Sequence, residues 1–262
     1  MPSAERPDLD VLLPLDGAPR RLTGEDAAEP ALCELYAHPE PRPGDPVWVR
    51  ANMIGTLDGA ATGADGRSGS INGDADHRVF RVLRAMADVV LIGAGTARAE
   101  GYGALAVAPE LAAARAARGQ RVDLELALVS RTGPLPDRLL DADRPPLVVT
   151  VADRPDLDAL SDRIGADRVL VAGPDRVDLG LALAGLAARG LVRVLAEGGP
   201  GVLGQLLAAG LVDELCLTWS PLLVGGPAPR LVAHDDWFAP PLEARPAHLL
   251  HSGGVLLGRW LL

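Results

Sequence analysis

From residue 47 onward the chain repeats one pattern: a short apolar run, a polar or Gly-rich turn, then a stretch with helical spacing. The apolar runs predict buried strands over residues 47–54, 89–93, 124–130, 146–151, 168–172, 192–196, 214–220 and 255–262. Residues 74–87 place Val79, Val82, Leu83 and Met86 at the spacing of a single buried helix face. Residues 201–209 do the same with Val202, Leu203, Leu206 and Leu207, and stop at Gly210, a residue suited to a helix C-cap. Strands alternating with helices imply crossover connections, hence an α/β fold: a mostly parallel twisted sheet with helices on both faces. The last strands follow one another without a helix between them, which predicts an antiparallel C-terminal edge. Residues 1–46 are different, rich in Pro and Asp, with one helical piece over residues 24–36 that Thr23 could cap. Pro39, Pro41, Pro43 and Pro46 stop that piece. The expected organisation is an N-terminal extension, 1–46, followed by one domain, 47–262.

Composition narrows the function classes. A net charge of −10 and a pI near 4.9 argue against general affinity for a phosphate backbone, so no nucleic-acid partner is expected. All 25 basic residues are arginine, so local guanidinium clusters could still hold a small anionic cofactor. The N-terminus shows no apolar leader and no run is long enough to span a membrane. Cys33 and Cys216 suit a reducing compartment and fall short of the paired cysteines of a zinc deaminase. A cytoplasmic protein without a metal is expected.

Three turns carry chemistry. In Val89-Val-Leu-Ile-Gly-Ala-Gly-Thr96 an apolar strand runs into Gly93 and Gly95, and Thr96 could cap the next helix. Backbone N–H groups can approach a phosphate there, although Arg98 stands where the dinucleotide fingerprint wants a third glycine. In Val194-Leu-Ala-Glu-Gly-Gly-Pro-Gly-Val202, Gly198, Gly199, Gly201 and Val202 form a second such loop, with Glu197 at the carboxyl end of the strand. Two phosphate turns suggest a dinucleotide lying across the sheet. Ser130 and Arg131, ending another strand, offer a hydroxyl and a guanidinium to the 2′-phosphate that separates NADPH from NADH. A tight turn, a solvated strand-end Glu and a surface Arg are the plain structural alternatives. An adenosylmethionine-dependent methyltransferase would need an acid where Ser130-Arg131 stands, and a non-catalytic nucleotide sensor stays open. His248 and His251, amid Leu and Gly, fit strand and turn rather than a ligand pair.

These segments, in this order, resemble the pyrimidine reductase family of riboflavin biosynthesis, the C-terminal reductase domain of the bifunctional deaminase-reductase, with a dihydrofolate-reductase-like fold. The likeness runs through Asn52-Met-Ile-Gly-Thr-Leu-Asp-Gly59, Ser68, Arg81-Val-Leu-Arg-Ala85, Gly93-Ala-Gly-Thr-Ala-Arg-Ala-Glu100, Glu197-Gly-Gly199 and Leu211-Val-Asp-Glu214. It implies hydride transfer from NADPH to a small heterocycle and a homodimer. It assigns the cofactor to Thr96, Glu100 and residues 198–205, and the substrate to Asn52, Ser68, Arg84 and Glu197, with Arg84 as the cation for a ribose phosphate. Two cations of the family pattern are missing: Ala60 replaces a Lys, and no Arg follows Glu100 until Arg115.

Asp76-His-Arg-Val-Phe80 also resembles the helix opening of dihydrofolate reductases, where an acid hydrogen-bonds a pterin and a Phe stacks on it. Asp76, Phe80 and Arg84 lie one helical turn apart on one face. Asp76, Glu197 and Asp58 are therefore the expected groups to polarise or protonate substrate, and Phe80 the expected ring contact.

Overall fold

The computed structural model describes residues 6–14, 20–39 and 47–262. Its strands are β1 (Leu9–Leu13), β2 (Arg20–Leu22), β3 (Trp48–Thr56), β4 (Val89–Gly93), β5 (Glu125–Val129), β6 (Leu147–Thr150), β7 (Val169–Val171), β8 (Arg193–Ala196), β9 (Glu214–Ser220), β10 (Arg245–Ser252) and β11 (Val255–Leu261). Its helices are α1 (Pro30–Leu35), α2 (Asp74–Met86), α3 (Ala94–Ala99), α4 (Ala112–Ala116), α5 (Asp137–Leu140), α6 (Leu157–Ile164), α7 (Leu179–Ala187) and α8 (Pro200–Ala208).

All the strands join one sheet in the order β2-β1-β10-β11-β9-β3-β8-β4-β5-β6-β7. From β9 to β7 every pairing is parallel, and from β9 to β2 every pairing is antiparallel. The expected fold class is the one observed. Period-two alternation explains why the middle strands are apolar throughout: β4 sends Val90 and Ile92 to one face and Val89 and Leu91 to the other. On the first face the predicted stripe of α2 (Val79, Val82, Leu83, Met86) packs against β4, β5 and β8. On the second face α7 and α8 cover β3, β4 and β6. Burying each such large aliphatic side chain contributes about 1.5–3 kcal/mol. Both sheet edges, β2 and β7, are only three residues long, which limits edge-to-edge pairing.

The N-terminal segment departs from expectation. Its helix is Pro30–Leu35, opened by Pro30 behind a left-handed Glu29 with φ 48°, and Thr23 does not cap it. β1 and β2 were not expected: β1 pairs with β10 and extends the antiparallel edge. No local signal marks such short strands, whose place is set by β10. Residues 40–46, which hold Pro41, Pro43 and Pro46, lie outside the described residues. Thr96 also fails as a cap, because α3 starts directly after Gly93 and carries Thr96 within it. Among the described residues no helix is long and apolar enough to cross a membrane.

A second motif turns out to be architectural. Glu214 is fully buried, with Arg50 donating to one carboxylate oxygen and Arg259 to the other at 2.6 Å. Asp213 accepts from the Val49 N–H at 2.7 Å. The Leu211–Glu214 segment thus locks β9 to β3 and β11.

Candidate active site

A cleft of about 560 Å³ opens beside the carboxyl ends of β3, β8 and β4, where open α/β sheets hold ligands. Sheet order explains its make-up. β8 and β4 are neighbours, so the two Gly-rich turns meet: the Gly93 N–H donates to the Gly198 carbonyl at 2.8 Å, and the Gly199 N–H to Thr96 Oγ1 at 3.0 Å. β5 flanks β4 on its other side, which puts Ser130 and Arg131 next in the row. Three segments remote in sequence thus fall on consecutive strand ends.

Of the residues expected to hold a cofactor, Gly95, Thr96, Glu100 and Gly199 line the cleft. Gly93 and Gly198 lie buried beneath it; Gly198 has φ 83°, and a Cβ there would sit 3.1 Å from Met53 Sδ. At Gly199 the expectation needs revising. A Cβ would come 2.3 Å from Thr96 Oγ1, so the glycine first serves the approach of α3, not room for a ligand. Gly201 is the open position, with nothing within 4 Å of an added Cβ. The N–H groups of Gly201 and Val202 precede the first intrahelical donor of α8, the Leu203 N–H bonded to the Gly199 carbonyl at 3.1 Å, and can bind an anion. Ser130 and Arg131 lie outside the cleft lining. Ser130 is buried and donates to the Gly133 carbonyl at 3.0 Å, while Arg131 is exposed and has no ion-pair partner among the described residues. This row of open amides, with the exposed Arg131 guanidinium beyond it, fits a phosphorylated dinucleotide.

The opposite wall is α2. Asp74 and Asp76 favour its N-terminus electrostatically, and its cleft face presents Asp76, His77, Phe80 and Arg84. Asp76 is 5% exposed and accepts from the Thr218 hydroxyl of β9; burial pushes its carboxyl above the ordinary range. Arg84 does not stand free as a cation for a ribose phosphate. Its Nε and Nη2 donate to the two Glu197 oxygens at 2.8 and 2.7 Å, and the Phe80 ring centre lies 4.2 Å from its guanidinium carbon. Tyr102, which nothing in the sequence pattern singled out, donates its hydroxyl to Glu197 at 2.5 Å. Burial, with the neighbouring carboxylate, raises the Tyr102 pKa well above its ordinary value. Its neighbours, residues 101–104, form an irregular stretch without periodicity. The only signal was its place just after the Gly93–Glu100 motif.

Asn52 and Ser68 line the cleft, and the Ser68 N–H donates to Glu100 at 2.7 Å, tying the loop that follows β3 to the end of α3. Asp58 is not brought to the cleft. It is exposed, accepts from the Thr56 hydroxyl and from the Val224 and Gly225 N–H groups, and those bonds, the Thr56 hydroxyl foremost, lower its pKa. That bonding makes it a turn residue that fastens the 222–226 segment. Among the described residues no group of three or more His, Cys, Asp or Glu could hold a metal ion.

Chemically, the cleft pairs a wall of backbone amides with a wall bearing a buried carboxyl, an aromatic ring and a hydrogen-bonded Arg–Glu–Tyr cluster. Known proteins share this chain's pattern. Residues 47–255 match the family model of the RibD C-terminal domain. The chain is 34% identical over 192 residues to the 2,5-diamino-6-ribosylamino-4(3H)-pyrimidinone 5′-phosphate reductase of Methanothermobacter thermautotrophicus, covering 72% of this chain and 84% of that protein. It is 29% identical to the protein of the same name from Archaeoglobus fulgidus, covering 81% and 98%. Among solved structures, a pyrimidine reductase-like protein from Corynebacterium diphtheriae superposes with a TM-score of 0.73 at 29% identity, covering 82% of this chain and 91% of that one. This chain belongs to the RibD C-terminal domain family.

Proposed function

We propose that the chain is an NADPH-dependent reductase of a small nitrogen heterocycle of the aminopyrimidine or pterin type, working in the cytoplasm as a homodimer, with residues 47–262 as its catalytic domain. One observation carries the reading: a single cleft is lined on one side by the Gly95–Thr96 and Gly199–Pro200 turns and on the other by Asp76, Phe80, Arg84 and Glu197. The named relatives support the pyrimidine class.

When bound, NADPH supplies the hydride. Gly95, Thr96, Gly201 and Val202 would hold its phosphates, and Ser130 and Arg131 its 2′-phosphate. The chain's own part is placement and charge. Phe80 and the Arg84 guanidinium stack to make a flat floor, Glu197 and Tyr102 fix that floor in place, and the cleft walls exclude water. Asp76 is suited to hold a proton beside the ring, because burial favours its neutral form.

A second reading, reduction of a pterin, is favoured by the Asp76–Thr218 pair: an acid and a hydroxyl joined at the cleft wall match an aminopyrimidine edge. The test is NADPH oxidation by purified protein with the ribosylamino-pyrimidine and with dihydrofolate. Oxidation with either supports the reading, and the one turned over faster chooses between the two. Oxidation with neither, or no binding of NADPH, overturns it.

A further inference from the structure

A buried guanidinium lies beneath the turn that ends β5. Arg154, in the loop between β6 and α6, is 5% exposed. Its Nη1 and Nη2 donate to the Ser130 and Gly133 carbonyls at 3.5 and 3.4 Å. From β6, the buried Thr150 hydroxyl donates to the Arg131 carbonyl at 2.9 Å. Three carbonyls of one turn therefore point inward. In a trans peptide the N–H that follows a carbonyl points the opposite way, so the Arg131 and Thr132 N–H groups face outward, where both side chains are exposed. Two successive amides beside a guanidinium make a concavity suited to an anion. Arg154 itself is under-satisfied. Both carbonyl contacts exceed the ordinary N–H···O length, and its carboxylate partner Asp156, 2.9 Å from Nε, has a side chain 58% exposed. Water weakens that ion pair, and the Arg154 charge stays felt beneath the turn.

We propose that Arg154 and Thr150 set the choice of NADPH over NADH. They are positioning residues. By drawing the Ser130, Arg131 and Gly133 carbonyls inward they aim the turn's amides at the 2′-phosphate, beside the Arg131 guanidinium, and Arg154 adds a second positive charge from below. This rests on the reductase reading above, whose cofactor it specifies. NADH has no 2′-phosphate and gains nothing from the turn, so the two residues act on the difference between the cofactors rather than on their shared part.

The experiment measures by calorimetry the affinities of NADPH and NADH, and of adenosine 2′,5′-bisphosphate and adenosine 5′-monophosphate, for the parent chain and its variants. Arg154→Met removes the charge and both donors to the turn while keeping much of the bulk. It should lower the preference for NADPH over NADH about tenfold, and the preference for the bisphosphate by the same factor. Thr150→Val, nearly isosteric, should lower both preferences about threefold, and it serves if Arg154→Met does not fold. Folded variants that keep the parent's preference, or that weaken NADPH and NADH equally, overturn the inference alone. A parent chain that binds NADPH no more tightly than NADH, or binds neither, overturns the cofactor reading and the inference with it.

Discussion

Two arginines six positions apart on α2 are used in opposite ways. Arg78 points to the N-terminal segment and is saturated. Its Nε and Nη2 hold the Glu29 carboxylate at 2.8 and 2.7 Å, Nη1 donates to the Pro7 and Leu22 carbonyls at 2.6 and 2.9 Å, and Nη2 reaches the Thr23 carbonyl at 2.7 Å. All its donors are spent and its side chain is 1% exposed. Arg84, about one and two-thirds turns further on, emerges on a different face and keeps donors in reserve at a cleft. The difference separates a clamp from a site: complete satisfaction fixes a structure, and incomplete satisfaction leaves something for a ligand. Arg131, exposed and without an ion-pair partner among the described residues, is the far end of the same series.

The same substitution at both helix positions tests this contrast. Arg78→Lys replaces a five-donor fork by three donors and strands buried acceptors, so unfolding free energy should fall by about 2–5 kcal/mol in urea titrations. The folded fraction should keep its kcat/KM. A cost under about 1 kcal/mol would mean that Arg78 is no clamp. Arg84→Lys should do the reverse. The Glu197 charge stays paired, so stability changes by about 1 kcal/mol or less, while loss of the flat fork lowers kcat/KM about 10- to 100-fold. Equal stability losses at the two positions would break the comparison.

Smaller effects sharpen it. Arg131→Ala should weaken NADPH about tenfold, at the low end of a charge-assisted contact because the group is solvated, and leave NADH nearly unchanged. Equal weakening of both cofactors would move the 2′-phosphate elsewhere. Asp76→Asn is the subtlest. Burial raises the native pKa above the ordinary 3.8, so the native chain holds this proton more tightly than the unfolded one. The group therefore supports folding below pH 3.8 and turns against it as pH rises through the elevated native value. The variant should be slightly more stable than the parent at neutral pH, with the gap closing in acid, and should lose any pterin reduction. A variant less stable at neutral pH would show that the Thr218 bond outweighs burial.

The amphipathic stripe of α2, the all-apolar β4, and the turns at Gly93–Gly95 and Gly198–Gly201 are local signals, each set by neighbours within a few positions. Periodicity and turn chemistry therefore determined by themselves the strand–helix alternation, the parallel sheet and the residues of both turns. The row Asp76–Phe80–Arg84 was equally legible, because helix geometry alone aligns it.

Only the tertiary structure decided what those residues face. Glu197 meets Arg84 across 113 positions and Tyr102 across 95, and Thr218 reaches Asp76 across 142. No period in a sequence encodes such pairings, because they depend on β8 and β9 flanking β3. The same holds for β1 and β2, whose few residues become strands only because β10 offers an edge, and for Asp58, whose turn is closed by the distant Val224 and Gly225. Sequence determined which chemical groups the chain carries on which element face. Sheet order determined which of them share a cleft, and so brought Arg84, the cation expected for a ribose phosphate, against Glu197.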